Sequence, residues 1–527
     1  MEYRLPTLLR QSAKSQPFKV AIRQGEEELS YEDLNLLSDK LASCLVDKGL
    51  KVGDRVGIYI DKSIDAVIAI FGILKSGGCY VSLDPLDNSR RQTLIVKDCS
   101  LKYLISSSKK LPSLVKIIRG IDSLEYIFVV DANKKESSRD WCDIKMVFKK
   151  EIFNSDVSIS PRSRRLKDNN SAYILYTSGS TGKPRGVEIS HRASLAFINW
   201  ANKYFNITKA DIVAAQSPFH FDLSIFDIFV SIKAGATICI VPQSLSIFPK
   251  SLADFIESQK ISTWYSTPSV LIKLLYYGNL QKRNLSALKR IIFAGEVFPP
   301  KHLHKLMKIL PGAKYYNLYG PTETNVCTCY FLKRIPKVDK PIPIGCPCRG
   351  QYIFIVDKAG NLVKNGQSGE LCVSGPTLMQ GYWNNSQATE KAMIKLNFLN
   401  KASKVYRTGD LAKIRKNGDI LYCGRNDEML KVRGYRVEPA EIEAVLHSCP
   451  GIKEAAVVGV SADAAGDRIK AVISLKTNYS VSESKVKLFC SRQLPSYMVP
   501  AEIFFKKSLP RLSTGKIDRK KLKTIRR

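Results

Sequence analysis

Short runs of β-branched and aromatic residues recur along the chain: "RVGIYI" from Arg55, "KYLIS" from Lys102, "EYIFVVD" from Glu125, "AYILYTS" from Ala172, "ATICIVP" from Ala236 and "RIIFAGE" from Arg290. Amphipathic stretches of roughly ten to twenty residues separate them, and strands spaced by helices in this way predict parallel α/β layers. Ligands in such sheets gather at the strand ends. After "GRNDEMLKVRGYRVEPAEIEAVL", which begins at Gly424, the pattern changes to a compact unit of about a hundred residues, with "KEAAVVGV" and "IKAVISLK" as strands. The chain thus divides into a large N-terminal part and a small C-terminal one. Between Lys134 and Asn170 the sequence is polar and strand-poor, which predicts an exposed excursion.

With 527 residues and 44% hydrophobic content the chain can bury a substantial core in two or more structural units. No charged segment followed by an apolar one opens it, and the apolar run Ala66 to Leu74 is too short to span a bilayer. The expectation is a cytoplasmic protein with no membrane partner. Thirteen cysteines, an odd number, fit reduced thiols better than a disulfide framework. Cys327/Cys329 and Cys346/Cys348 are spaced more tightly than the usual zinc site, and no histidine lies near them. The net charge of +34 raises nucleic acid as a partner, but the charges spread over the whole length and no nucleic-acid-binding motif accompanies them. An acidic small molecule or an acidic protein suits this charge better, so no nucleic acid is expected.

The stretch "ILYTSGSTGKPRGVEISH", Ile174 to His191, sets glycines, hydroxyls, a lysine and an arginine directly behind an apolar run. Free backbone N–H groups in such a loop hold phosphate. It is not a Walker A loop: Gly179 and Gly182 are too close together, and Pro184 follows Lys183. By itself the loop is compatible with a surface turn.

Further motifs decide the matter. "LKSGGCYVSLDP" from Leu74, "FHFDLSIFDIF" from Phe219, "NLYGPTET" from Asn317, "GELCVSGPTLMQGYW" from Gly369, "YRTGD" from Tyr406, "GRNDEMLKVRGYRVE" from Gly424, "LPSYMVP" from Leu494 and "LSTGKIDR" from Leu512 follow one another. In this order, from about residue 29 onward, the chain resembles the adenylate-forming superfamily of acyl-CoA synthetases, luciferase and nonribosomal peptide adenylation domains. The resemblance implies a large α/β domain, 1–426, in which two sheets sandwich helices beside a distorted β-barrel. It also implies a small mobile α+β domain, 427–527, with Asp427 as the hinge. Met429 departs from the glutamine usual two residues after that hinge.

The resemblance also assigns residues. Thr177, Ser178, Gly179, Ser180, Thr181, Gly182 and Lys183 would cradle the β- and γ-phosphates of ATP. Gly295, Asn317, Gly320 and Thr322 would complete the nucleotide site, with Tyr319 against adenine and Asp410 on the ribose hydroxyls. Arg425 would reach ribose or phosphate, and Glu323 would hold Mg²⁺, a hard cation that prefers oxygen. Lys516 is the expected catalytic cation, since preorganised charge stabilises the pentavalent phosphorus more than the ground state. After rotation about the hinge, the "KVRGYR" face with Lys431 would replace it and open a path for a pantetheine thiol.

Asp222 falls where amino-acid-activating members keep a carboxylate for the substrate's α-ammonium, and a buried carboxylate without a partner is costly. Aligning by motif adds Leu223, Phe226, Ser269, Ile292, Ala294, Leu318, Val326 and Cys327, an apolar lining. That set resembles pockets of stand-alone proline-activating ligases; alanine is the next candidate. The implied reaction is amino-acid adenylation with release of pyrophosphate, then transfer to the phosphopantetheine thiol of a carrier protein. Because the chain ends about ten residues after Lys516, the carrier is expected to be separate, and acidic carriers suit a basic surface. A carboxylic acid–CoA ligase is the alternative.

Overall fold

The computed structural model describes residues 4–133, 144–154, 167–179, 184–396, 404–425, 429–462, 466–477, 479–511 and 517–525. Two sheets dominate the N-terminal part. The first has nine strands, in the spatial order Cys346–Pro347, Thr328–Leu332, Lys314–Tyr319, Arg290–Phe293, Thr263–Ser266, Ile212–Ala215, Thr237–Ile240, Val20–Gln24 and Glu27–Ser30. The second has eight, running from Gly381–Tyr382 through Arg185–Ser190, Ser171–Thr177, Cys79–Ser82, Arg55–Tyr59, Tyr103–Ser106 and Tyr126–Val129 to Lys145–Phe148. Pairing is parallel through the middle of each sheet, as the alternation of strand and helix predicts, whereas Ser171–Thr177 pairs antiparallel with Arg185–Ser190 and Lys314–Tyr319 antiparallel with Thr328–Leu332.

Helices fill the space between the two sheets. Ile64–Ser76 is apolar around almost its whole circumference because both sides are covered. The Ser63 hydroxyl caps its first turn and Gly77, at φ 91°, ends it in the left-handed conformation. Leu5–Ser15, Tyr31–Asp47 and His191–Phe205 join it in one core with Ile22, Val213 and Ile238 of the first sheet and Val56, Tyr80 and Tyr173 of the second. On the outer face of the first sheet, Pro249–Ser258, Pro268–Tyr277 and Pro300–Ile309 each open on a proline, whose missing N–H costs nothing in a first turn. Ser89–Asp98 and Leu111–Ile118 cover the outer face of the second.

A third, five-stranded antiparallel sheet holds Tyr352–Val356, Gly369–Ser374, Val405–Ile414, Met393–Ile394 and Ile420–Arg425. The C-terminal domain is small. Its hairpin, Leu430–Val432 with Tyr435–Val437, packs through Val432 and Val437 onto the helix Pro439–Ser448 and the sheet of Ile452–Ala462, Gly466–Leu475 and Glu502–Phe505.

One expectation needs correction. The polar segment after Lys134 contains an edge strand, Lys145–Phe148, paired in parallel with Tyr126–Val129, and a short helix, Lys149–Asn154. Only Val147 of that strand is buried, so four residues carry too little apolar signal to stand out from their polar surroundings. Among the described residues no helix is long and apolar enough to cross a membrane, and no group of three or more His, Cys, Asp or Glu side chains is placed to hold a metal ion.

Candidate active site

The strand ends of both sheets and the C-terminal hairpin enclose a cavity of about 110 Å³. From the second sheet, Ser171–Thr177 delivers Thr177 and Ser178 to its wall. Ser178 donates its hydroxyl to the backbone carbonyl of Arg436, so one hydroxyl of the glycine-rich loop is held by the C-terminal hairpin. Gly179 also turns toward the small domain, its N–H donating to Glu441. Ser180, Thr181, Gly182 and Lys183 lie outside the described residues, as do Asp427 and Lys516.

From the first sheet, Lys314–Tyr319 runs into the turn Gly320–Thr322. A side chain at Gly320 would meet the carbonyl oxygen of Asn325 at 1.6 Å, so only glycine fits this close approach. Tyr319 donates its hydroxyl to Asp410 Oδ2 at 2.6 Å, and Arg425 holds the other oxygen of the same carboxylate. Asn317 donates to the carbonyl of Pro343 at 2.8 Å and does not line the cavity, whereas Gly295, Gly320, Thr322, Asp410 and Arg425 do. Tyr319 lies beneath Lys431, whose Nζ is 5.7 Å from the ring centroid and 5.5 Å from that of Tyr422. Burial pushes the Lys431 ammonium below the usual lysine range, with Asp410 opposing.

Glu323 follows the cavity-lining Thr322 but is itself fully buried and does not line the cavity. Burial disfavours its charge, but Arg436, at 2.8 Å, and the hydroxyl of Tyr382, at 2.6 Å, outweigh that and hold the carboxyl below its usual range. Its second oxygen, Oε2, has no hydrogen-bond partner among the described residues. An orphaned carboxylate oxygen of this kind suits a hard cation.

Asp222 lies at the start of the helical segment that continues into Phe226–Val230, and part of its surface faces the cavity. Burial pushes its carboxyl up to about 6, against a hydrogen bond from Thr322. Leu223, Ala294 and Val326 share the wall with it. Ser269 opens instead into a neighbouring cavity, its hydroxyl 2.9 Å from that of Thr267. Phe226, Ile292, Leu318 and Cys327 are buried in the surrounding core. Phe226 packs edge-on against Tyr265, with centroids 5.3 Å apart, and it is the Tyr265 ring that reaches the cavity. Tyr265, His220, Tyr435, Arg436 and Tyr497 are wall residues that motif alignment did not single out. Tyr435 and Arg436 lie inside "KVRGYR", His220 inside "FHFDLSIFDIF" and Tyr497 inside "LPSYMVP", so each had a motif as its signal; Tyr265 alone of the five sits in a strand that no quoted motif covers.

A model of the AMP-binding enzyme family matches residues 9–383, and its C-terminal-domain model matches 441–516. The chain belongs to this adenylate-forming family. Among its relatives is an L-proline–L-prolyl-carrier-protein ligase of Pseudomonas fluorescens, 35% identical over 95% of each chain. A protein of the same description from Streptomyces coelicolor is 34% identical over 94% of this chain and 92% of its own. In fold, the adenylate-forming enzyme matches the Vibrio cholerae adenylation domain AlmE, solved with glycyl-adenosine-5'-phosphate. That match has a TM-score of 0.86 at 24% identity and covers 99% of this chain and 97% of the other. As a ligase of this family the enzyme uses ATP.

The small domain is fastened over the site by more than Ser178. Arg91, on the helix Ser89–Asp98, bridges Asp87 at 3.2 Å and Glu441 of the helix Pro439–Ser448, with Arg91 and Glu441 each about 7% exposed. Tyr435 stacks on Tyr497 at 3.8 Å and leans on Phe221 at 5.4 Å. The adenylate-forming enzyme is therefore held with its 430–437 hairpin, and Lys431 within it, against the side of the cavity lined by Asp410 and Arg425.

Proposed function

We propose that this enzyme activates a small apolar amino acid, L-proline first and alanine next, as the aminoacyl adenylate and passes it to the phosphopantetheine thiol of a separate, acidic carrier protein. The single observation that carries the reading is Asp222: a carboxylate facing a cavity whose neighbouring wall is Leu223, Ala294 and Val326. A zwitterion with a compact apolar side chain satisfies both features, its ammonium on Asp222 and its side chain on the apolar wall. A fatty or aryl acid would leave the carboxylate without a cation. The prolyl-carrier-protein ligases among the relatives support proline.

In the first step the substrate carboxylate attacks the α-phosphorus of ATP and pyrophosphate leaves. In this reading Thr177 to Lys183 hold the β- and γ-phosphates, while Gly295, Asn317, Tyr319, Gly320 and Thr322 form the nucleotide side, and Asp410 with Arg425 takes the ribose. Lys516 supplies the cation at the transition state. Glu323, with its unpaired oxygen, would hold Mg²⁺, which screens the phosphate charge when bound. Leu223, Phe226, Ser269, Ile292, Ala294, Leu318, Val326 and Cys327 set the size of the side-chain pocket directly or by backing its wall. Domains 1–426 and 427–527 then turn about Asp427, and the Lys431 face replaces Lys516 for transfer. A reducing, cytoplasmic setting accords with the twelve free thiols among the described residues.

The test is amino-acid-dependent exchange of labelled pyrophosphate into ATP across the twenty amino acids and a set of aryl and fatty acids. Exchange with proline above all others is expected, lost in Asp222→Ala. Exchange with a fatty or aryl acid that survives Asp222→Ala, followed by acylation of coenzyme A, would replace this reading with the acid–CoA ligase one.

A further inference from the structure

Leu223, Ala294, Val326 and Tyr265 share the cavity wall with Asp222, and of these Tyr265 has much the largest side chain. It stands on the strand Thr263–Ser266, paired with Ile292 of the parallel strand Arg290–Phe293, which is paired in turn with Tyr316. Residues in register across a sheet share a face, so Tyr265, Ile292 and Tyr316 form one row. Of the three only Tyr265 lines the cavity.

The packing behind this ring is a chain of aromatic contacts. Phe226 meets Tyr265 edge-on at 5.3 Å, Phe205 meets Phe226 edge-on at 5.6 Å, and Tyr316 meets Phe205 edge-on at 4.9 Å. Tyr265 and Phe226 are both buried. A close-packed interior yields to an incoming group only if several rings shift together, so Tyr265 has nowhere to retreat. Burial pushes its phenol well up and the charge of Asp222 adds to this, which puts a neutral ring within electrostatic reach of the cavity's carboxylate. Two residues that motif alignment assigned to the pocket stand elsewhere: Phe226 lies behind Tyr265, and Ser269 opens into the neighbouring cavity.

We infer that Tyr265, braced by Phe226, sets the upper limit on side-chain length in the amino-acid pocket. This rests on the ligase reading above and narrows its substrate class. An ammonium anchored on Asp222 fixes the α-carbon, and the side chain must then end before the Tyr265 ring. Alanine and the closed ring of proline are short enough; methionine, leucine and phenylalanine are not. Phe226 contributes by holding Tyr265 in place, so the limit belongs to a residue outside the motifs.

The experiment measures kcat/KM for L-methionine relative to L-proline, read at the first step by pyrophosphate exchange and over the complete reaction by capture of the aminoacyl group by free pantetheine. Methionine is the probe because its side chain is long, unbranched and flexible. Wild type should favour proline by about 100-fold or more, since even one methylene too many costs about 10-fold or more in a fitted apolar pocket. In Tyr265→Ala, and in the milder Tyr265→Leu, the ratio should rise about 100-fold toward methionine. Each ratio is taken within one preparation, so a smaller folded fraction cancels. Tyr265→Phe keeps the bulk and should keep the wild-type ratio, and Phe226→Leu should move it less than Tyr265→Leu does. A wild type that uses methionine as well as proline, an unchanged ratio in Tyr265→Leu, a Tyr265→Phe shift as large as that of Tyr265→Leu, or a larger shift in Phe226→Leu overturns the assignment alone. A wild type that exchanges with no amino acid overturns the ligase reading and this assignment with it.

Discussion

Arg436 donates to one oxygen of the Glu323 carboxylate at 2.8 Å, while the other oxygen, equally enclosed, has no partner among the described residues. The arginine belongs to the C-terminal hairpin and the glutamate to the turn after a strand of the large domain, so the bond forms only when the hairpin is seated. A single buried carboxylate thus meets a protein cation in this arrangement and offers an oxygen to a metal ion in the proposed nucleotide site.

Replacing Arg436 with alanine should therefore penalise the seated arrangement. A hydrogen bond to a charged group contributes about 1.5–3 kcal/mol, so pantetheine capture is expected to drop roughly 10- to 100-fold. Pyrophosphate exchange, which in the proposed cycle uses the other orientation, should drop by less. Equal losses in both assays would mean that Arg436 serves both orientations alike.

The Arg91–Glu441 pair fastens the same two domains from the side. Breaking a buried pair by removing one partner typically costs about 3–5 kcal/mol. In the proposed hinged cycle the helix Pro439–Ser448 would swing away and rehydrate Glu441, which would cap the cost. Arg91→Ala should leave the main thermal transition almost unchanged but speed proteolytic cleavage near residue 427. A large fall in Tm with no change in cleavage rate would contradict this.

Asp222 carries a pH signature. Burial raises its carboxyl to about 6, and the proposed contact with a substrate α-ammonium would need the ionised form. Protonation on going below pH 6 should weaken binding, so kcat/KM for proline in the exchange assay should fall about tenfold per pH unit there. With Asp222→Asn the acidic limb should vanish along with most of the activity. A limb that persists in the variant would assign it to another group.

His191 gives a stability signature. It is fully buried at the first turn of His191–Phe205, and its Nδ1 accepts from the Leu5 amide at 3.3 Å, which requires the neutral ring. Burial lowers it to about 4 from 6.5. The unfolded chain then binds the extra proton between those values, so stability is lost as pH falls from about 6.5 to 4, by up to ~3 kcal/mol. Denaturant midpoints measured across that range should show the loss, reduced in His191→Gln.

The strands "RVGIYI", "AYILYTS" and "RIIFAGE" were legible because each is a β-branched run buried on both faces of a parallel sheet, and such burial writes itself into composition. The ordered motifs were legible for a related reason: Gly320 admits no side chain against Asn325, and that requirement fixes a residue at a position. The edge strand Lys145–Phe148 escaped because one buried residue leaves almost no pattern. Tertiary structure alone decided which pocket candidates reach the cavity. Tyr265 stands in front of Phe226, and Ser269 turns into the neighbouring space, because a chain folded over hundreds of residues sets lines of sight that spacing does not encode. It also alone brought Asp84 to His220 and Arg91 to Glu441, pairs 136 and 350 residues apart. Local sequence determines what each residue prefers to do; which charge or ring it meets depends on packing across layers and between domains.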